Sequence, residues 1–349
     1  MTTWGQANTS AVVKASELHA DLDIDLTRPI DVFDAVKELG IVLAFAPLGN
    51  VSGVYLPGPQ SPGIMLHQGH PLTRQRYSAA HELGHHAFDH ALEVDLDSGI
   101  DLQRATTEGW PAHEKEAEAF AAWFLMPRKL LRSGLNHLGL ERPRSAYDVY
   151  ALSLWLGTSY TATARQLAVT RLAERQDADH WAAIPPRDLK KSLAGEMVPD
   201  DLRNDVWWLD ARHHMQPVAT RPGDRIVLTL PEIPSSGFSW SFSAVPDSAV
   251  VLADSYSDDW EPNLALANVH EVSKDADLAG ALSNRAFVLG IDPQASESAD
   301  PLALLKSQEW DPEAGVQEYE LLISVKPPMR GVQIPESDLA IRNSGPGPE

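Results

Sequence analysis

The sequence predicts an α+β chain of two domains, a mostly helical one with a small β-sheet followed by a β-sandwich. Three observations carry that reading. The chain has 349 residues, enough for two cores at roughly 100–200 residues per domain. Ala/Leu-rich stretches at helical spacing fill the first half, and β-branched runs broken by Pro, Gly and Ser fill the second. Charge changes in step: residues 1–190 hold 17 Lys+Arg against 23 Asp+Glu, and residues 191–349 hold 11 against 26.

In the first half, residues 29–39 read as a helix with Ile30, Val32, Phe33, Val36 and Leu39 available for burial, stopped by Gly40. Short strands follow at 41–45, 51–56 and 63–67, separated by Pro/Gly connections. Helices are then expected at about 73–92, 114–126, 128–138, 147–156 and 159–174. Pro185 and Pro186 disfavour helix continuation, because each lacks a donor and restrains its predecessor. This gives a first domain over 1–184, a linker over 185–203 and a second domain over 204–328. The last residues, 329–349, end in GPGPE without a periodic apolar face and read as a mobile tail. In the second domain, 224–231, 238–243, 249–253, 286–291 and 319–325 read as strands; with little helical pattern between them, they predict a sandwich.

Composition narrows the function. A net charge of −21 argues against duplex DNA or an anionic membrane as partner, since both require clustered Lys/Arg. No cysteine is present, which excludes disulfides, thiolate nucleophiles and Cys-based metal sites. The longest apolar run, 119–126, is far short of the ~20 residues that span a bilayer. The N-terminus has no apolar segment behind a basic patch. The expectation is a cytoplasmic protein that binds neither membrane nor nucleic acid directly. Residues 147–174, with Gly157 between two helices, imitate a helix-turn-helix, but few basic residues accompany them; packing or protein docking is the expected role.

His81-Glu82-Leu83-Gly84-His85 carries the chemistry. On a helix, residues i and i+4 share a face, so both imidazoles reach one metal ion, while Glu82 is placed to take a proton from water. Composition alone produces H-E-x-x-H only about 0.03 times in a chain of this make-up, so chance is a poor explanation. Zinc needs a third protein ligand and an open position. The extended pattern with histidine six residues on fails, because position 88 is Phe and 91 is Ala. His86 and His90 are nearby but off-register. The helix from about 114 is the better source, and Glu114 and Glu116 lie about 200° apart around it, so one of the two can face the metal.

The run from Arg74 to His85, followed by Glu114-x-x-Ala117-x-x-Phe120-Ala121-Ala122-x-x-Leu125-Met126-Pro127, resembles the ImmA/IrrE metallopeptidases over roughly residues 10–175. The resemblance implies a zincin-like fold. It implies that His81, His85 and Glu114 bind zinc and that Glu82 is the general base. Glu118 stands where that family usually has Asn. Such enzymes cleave helix-turn-helix repressors, so a protein substrate of that kind is implied. So is a short edge strand holding extended substrate, assigned to Gly63–His67 with Ile64, Met65 and Leu66 as the binding residues. For the oxyanion, Tyr77, His90 and His113 are the alternatives.

Later, Pro234-Ser235-Ser236-Gly237-Phe238-Ser239-Trp240 forms a turn entering an aromatic strand, with Gly237 supplying positive φ and the two aromatics on opposite sides. It resembles the P-x-x-G-[F/Y]-x-W segment of chagasin-like inhibitors of papain-type cysteine proteases, over roughly 210–327. An immunoglobulin-like sandwich is implied, with Ser235, Ser236, Gly237 and Trp310 as partner-binding residues. Ile233, the Ser-Ser pair and Glu309-Trp310 depart from the family's usual residues. The whole chain thus reads as a zinc endopeptidase carrying a recognition or regulatory domain that contacts a protease or regulator. The alternative is a binding or inhibitor protein whose peptidase half is an inactive scaffold.

Overall fold

The computed structural model describes residues 2–58, 61–91, 110–256, 283–308, 310 and 317–333. They form two compact units. One takes Met1–Arg142, Leu156–Asp179 and Pro328–Glu349; the other takes Pro143–Trp155 and His180–Pro327.

The first unit opens with α1 (Trp4–Asp21), a helix absent from the sequence expectations. Its buried face is Ala7, Ala11, Ala15 and His19, four residues apart each time. Such small side chains leave little hydrophobic signal to read, yet they let a neighbouring helix approach closely. Thr3 caps α1, and Trp123 donates from its indole to Asn8 at 3.1 Å. Helix α2 (Val32–Glu38) is capped by Asp31, which accepts from the Phe33 and Asp34 amides. Strands β1 (Val42–Ala46), β2 (Gly53–Leu56) and β3 (Gly63–His67) follow, then α3 (Leu72–Ala87), α4 (Ala112–Leu125) and α5 (Arg128–His137). Helix α3 ends at Ala87, short of the expected 92, and residue 92 itself lies outside the described residues.

The sheet order in this unit corrects one expectation. It runs β12-β1-β3-β2, with β3 parallel to β1 and antiparallel to β2. Strand β3 is therefore interior, its backbone groups taken on both sides, and Ile64 and Leu66 are buried. Among the described strands the free edge next to β3 is β2. The opposite edge is covered by β12 (Gly331–Gln333), which pairs antiparallel with β1. Part of the expected tail is thus sheet; residues 334–349 lie outside the described residues. The buried Gln75 of α3 fixes that strand's approach, accepting from the Met329 amide at 2.8 Å and donating to its carbonyl at 3.0 Å.

The second unit holds a sandwich of two four-stranded sheets. One has the order β4-β6-β9-β8, from Val206–Asp210, Arg225–Glu232, Ser283–Ile291 and Ala249–Tyr256; the other has β5-β11-β10-β7, from Pro217–Thr220, Gln317–Val325, Ser298–Gln308 and Phe238–Ala244. Inward residues of both sheets make one core, among them Ile226, Leu228, Phe287 and Leu289 from the first and Trp240, Leu302, Leu304 and Leu321 from the second. Phe238 and Trp240 are two apart, so strand alternation puts them on one side rather than on opposite sides. Trp240 is buried there.

Residues 185–203, expected as a linker, contain α9 (Pro186–Ala194) and a 3₁₀ turn at Gly195–Met197. The proline pair starts a helix: at the first helical position the missing amide hydrogen has no intrahelical partner to lose. From α9 the buried Lys190 ammonium reaches the Leu202 and Asn204 carbonyls at 3.0 and 2.7 Å and the Asp205 carboxylate at 2.8 Å. From α6 (Ala146–Leu156), the Tyr150 hydroxyl accepts from the Val206 amide at 3.0 Å. Two helices counted by sequence with the first domain, or between domains, are in part wired to the sandwich.

Candidate metal centre

Helix α3 presents His81 and His85 on one face, as their spacing requires. Their Nε2 atoms are 3.1 Å apart. Glu114, in the first turn of α4, places Oε2 at 3.2 Å from the His81 Nε2 and Oε1 at 3.4 Å from the His85 Nε2. These three residues are the His/Cys/Asp/Glu group among the described residues whose ligand atoms lie close enough to share an ion. For a tetrahedral ion with bonds of about 2.0–2.1 Å, one triangular face has edges of about 3.3 Å. With one atom from each residue, the three donors lie within 4.8 Å of one another, close enough to contract onto one ion, and two imidazoles with one carboxylate are a common zinc donor set. Of the two glutamates left open by helical geometry, Glu114 faces the histidines; Glu116 instead lies 3.3 Å from the His90 Nε2.

Gly84 explains how α4 gets there. A Cβ at that position would stand 2.9 Å from the Ala117 Cα and 3.1 Å from its carbonyl oxygen. The helices cross backbone to backbone at Gly84 and Ala117, and Glu114 lies one turn before Ala117. The glycine in the middle of the motif is thus a packing requirement.

Glu82 is buried. Its neighbour is Gly53 of β2, whose Cβ, if present, would stand 2.8 Å from the Glu82 Oε1. The backbone of Tyr55, on the same strand, favours the charged form of the Glu82 carboxyl. Burial pushes the Glu82 carboxyl up to about 7, with the Glu114 charge adding and the His81 charge and Tyr55 backbone opposing. Burial opposes a charge on His81, but hydrogen bonds to Glu114 and Glu118 outweigh it and lift the imidazole to about 10. His85 is driven down to about 3 by burial and then by His81. Glu114 falls to about 2 because the histidine contacts outweigh its own burial. The cluster therefore holds strongly interacting charges around one point, the electrostatic setting that a cation or a proton transfer exploits.

The remaining sequence expectations sort by contact. The Tyr77 hydroxyl donates to Glu118 at 2.8 Å, and Glu118 stands 3.3 Å from the His81 Nδ1; that hydroxyl is engaged behind the His81 ring. His90 lies behind His85, Nδ1 to Nδ1 at 3.0 Å. His113 remains beside the site, its Nε2 3.5 Å from the Glu114 Oε1. His86 pairs with the Tyr55 hydroxyl at 3.0 Å. Ile64 and Leu66 face the core, and Met65 is half-buried on the interior strand. Gly53 and Tyr55 were missed: only the strand pairing puts β2 at the edge and against Glu82.

In the second unit, Ser235 and Ser236 are exposed on a 3₁₀ turn, and Gly237 has φ 75° as expected. A Cβ on Gly237 would collide with the Trp310 ring, and Trp310 is 71% exposed. The four residues expected to bind a partner thus stand together.

Residues 36–139 match the IrrE N-terminal-like domain, Peptidase_M78. That match spans β1 through α5 and so contains His81, Glu82, His85 and Glu114. Similar solved structures include the cysteine protease inhibitor EhICP2 from Entamoeba histolytica, at 15% identity over 35% of this chain and 96% of that chain, with a TM-score of 0.28. Amebosin matches at 14% identity over 35% and 98%, TM-score 0.25. PbICP-C in complex with falcipain-2 matches at 8% over 35% and 91%, TM-score 0.22. No curated protein matches the chain. Among the described residues, no helix is long and apolar enough to cross a membrane.

Proposed function

We propose that the chain is a zinc-dependent endopeptidase acting on a protein strand laid along β2. The observation that supports this most is the His81–His85–Glu114 donor triangle with the buried Glu82 beside it, next to a free sheet edge. His81, His85 and Glu114 would hold zinc, which when bound would lower the pKa of water to about 7 and polarise a carbonyl. Glu82 takes the water proton and delivers it to the leaving amine. Gly53 leaves room for the Glu82 carboxylate. An extended substrate pairs with the outer edge of β2, so its scissile bond runs past Glu82. This assigns to β2 the binding role that the sequence placed on β3. By its resemblance to ImmA/IrrE enzymes, the substrate class is a helix-turn-helix repressor.

Two variants test the proposal. Zinc per chain should be about one in the wild type and in Glu82→Gln, and should be lost in Glu114→Ala. Cleavage of a susceptible protein should fall about 10²–10⁴-fold in Glu82→Gln. A wild type that takes up no zinc would sink the proposal.

The exposed Trp310 against Gly237, flanked by Ser235 and Ser236, favours a second role for the sandwich as a protein-binding module. Large exposed aromatics are strong interface anchors. Trp310→Ala in the full chain should weaken binding to a papain-like protease while zinc content stays unchanged. If binding is present and Glu82→Gln has no effect on any activity, the inhibitor alternative prevails.

A further inference from the structure

The catalytic helix ends in an unusual way. After α3, Asp89 takes a positive φ of 54° although it is not glycine, a conformation that side-chain-bearing residues seldom adopt. The turn reverses the chain so that the His90 amide donates to the His85 carbonyl at 2.9 Å. The same reversal folds the His90 imidazole under His85, the Nδ1 atoms 3.0 Å apart. The far nitrogen of His90, Nε2, lies 3.3 Å from Glu116 on α4. Glu116 sits two residues after Glu114, so the one helix supplies a carboxylate to the front of the cluster and another to its rear.

From this geometry we infer that His90 and Glu116 are positioning residues for the metal ligand His85. The inference rests on the zinc-site reading above. His85 offers Nε2 to the donor triangle, so its proton sits on Nδ1, the atom that faces His90. Nδ1–H of His85 then donates to the Nδ1 of His90, which accepts only if its own proton is on Nε2. That proton points at the Glu116 carboxylate. The chain His85–His90–Glu116 is consistent in every donor and acceptor, and it fixes both the tautomer and the ring plane of His85. Metal-binding histidines commonly donate their second N–H to a carboxylate or carbonyl, and removing such a partner costs 10–100-fold in metal affinity. Here a second imidazole is interposed because Glu116 faces away from Glu114 on α4 and is met by His90 instead.

His81 is held differently. Its Nδ1 faces Glu118, which in turn accepts from Tyr77. Two ligands on one helix thus rest on two unlike supports, and the His90 support depends on the turn at Asp89.

The test is zinc affinity of the full chain, measured by competition with a chromophoric chelator, together with the visible spectrum of the cobalt-substituted protein. His90→Ala and Glu116→Gln should each weaken zinc binding by about 10–100-fold and shift the cobalt bands. His90→Gln, which keeps an acceptor for His85 and a donor for Glu116, should recover most of the affinity. Should His90→Ala fail to fold, Glu116→Gln and His90→Gln still report. Unchanged affinity and spectrum in all three would overturn the inference and leave the zinc site standing. A loss in His90→Ala as large as in His85→Ala would overturn it by making His90 a ligand. A wild type that binds neither zinc nor cobalt would bring down the zinc-site reading and this inference with it.

Discussion

At the scale of single residues, small side chains and buried charges do different work. Gly53 is there because Glu82 occupies the space a side chain would take. Gly53→Val should therefore leave zinc content near one per chain but lower kcat by at least about tenfold, since a displaced base loses its alignment. Equal kcat in the variant would show that β2 tolerates the larger residue and that Glu82 is not held by it. In the sandwich, Asp210 shows how charge enters stability. Burial opposes its ionisation, but hydrogen bonds to His213 and Arg212 outweigh that and hold the carboxyl below the ordinary carboxylate range. A carboxyl whose folded pKa is depressed contributes stability above its unfolded pKa of about 3.9. That contribution is lost as pH falls through the folded value. Asp210→Asn should cost about 1–2 kcal/mol at pH 7, and its gap to wild type in denaturant melts should begin to narrow only below pH ~4 and keep shrinking as pH falls towards the folded value. A gap that stays constant with pH would assign the loss to packing.

Between elements, the crossing of α3 and α4 decides whether the motif is a site at all. Periodicity along α3 aligns His81 with His85, but only the close approach at Gly84 and Ala117 brings Glu114 to them. Gly84→Val should push the helices apart, costing about 1–3 kcal/mol by overpacking and abolishing stoichiometric zinc. Retained zinc in a folded Gly84→Val protein would mean that the crossing is not what places Glu114. The strand elements carry the other lesson. Segment 63–67 was legible as a strand to the residue, yet its place inside the sheet was not, because a run of alternating residues says nothing of what lies on either side. Its assignment as the substrate edge passes to β2 for that reason.

On the scale of the molecule, each unit is assembled from separated stretches of chain. The sandwich includes contributions from Tyr150 and Lys190, which reach residues 202–206 and a buried group of Asp205, Arg221 and Asp224. Removing one partner of a buried ion pair typically costs about 3–5 kcal/mol, so Lys190→Met should lower the melting temperature of the sandwich transition by several degrees. A fragment of residues 204–328, the domain as read from sequence, lacks both groups and should be far less stable than one beginning at 143. Equal melts for the two fragments would show that the sequence boundary suffices.

What the sequence determined by itself was local: the i, i+4 histidines with their glutamate, most helices and strands, and the turn at Gly237, all set by periodicities within one turn or one strand. Even so, α1 escaped notice because an alanine face carries almost no hydrophobic contrast, and β4, β5 and β10 were not picked out. Helical geometry left Glu114 and Glu116 open and the family resemblance named Glu114; only the tertiary structure decided which strand is the edge, and that Gly331–Gln333 returns to the first sheet. The same holds for His90, whose role follows from a chain reversal at a residue that is not glycine. These are pairings between positions far apart in the chain, or directions a backbone takes under packing. No window of sequence contains the partner that determines them.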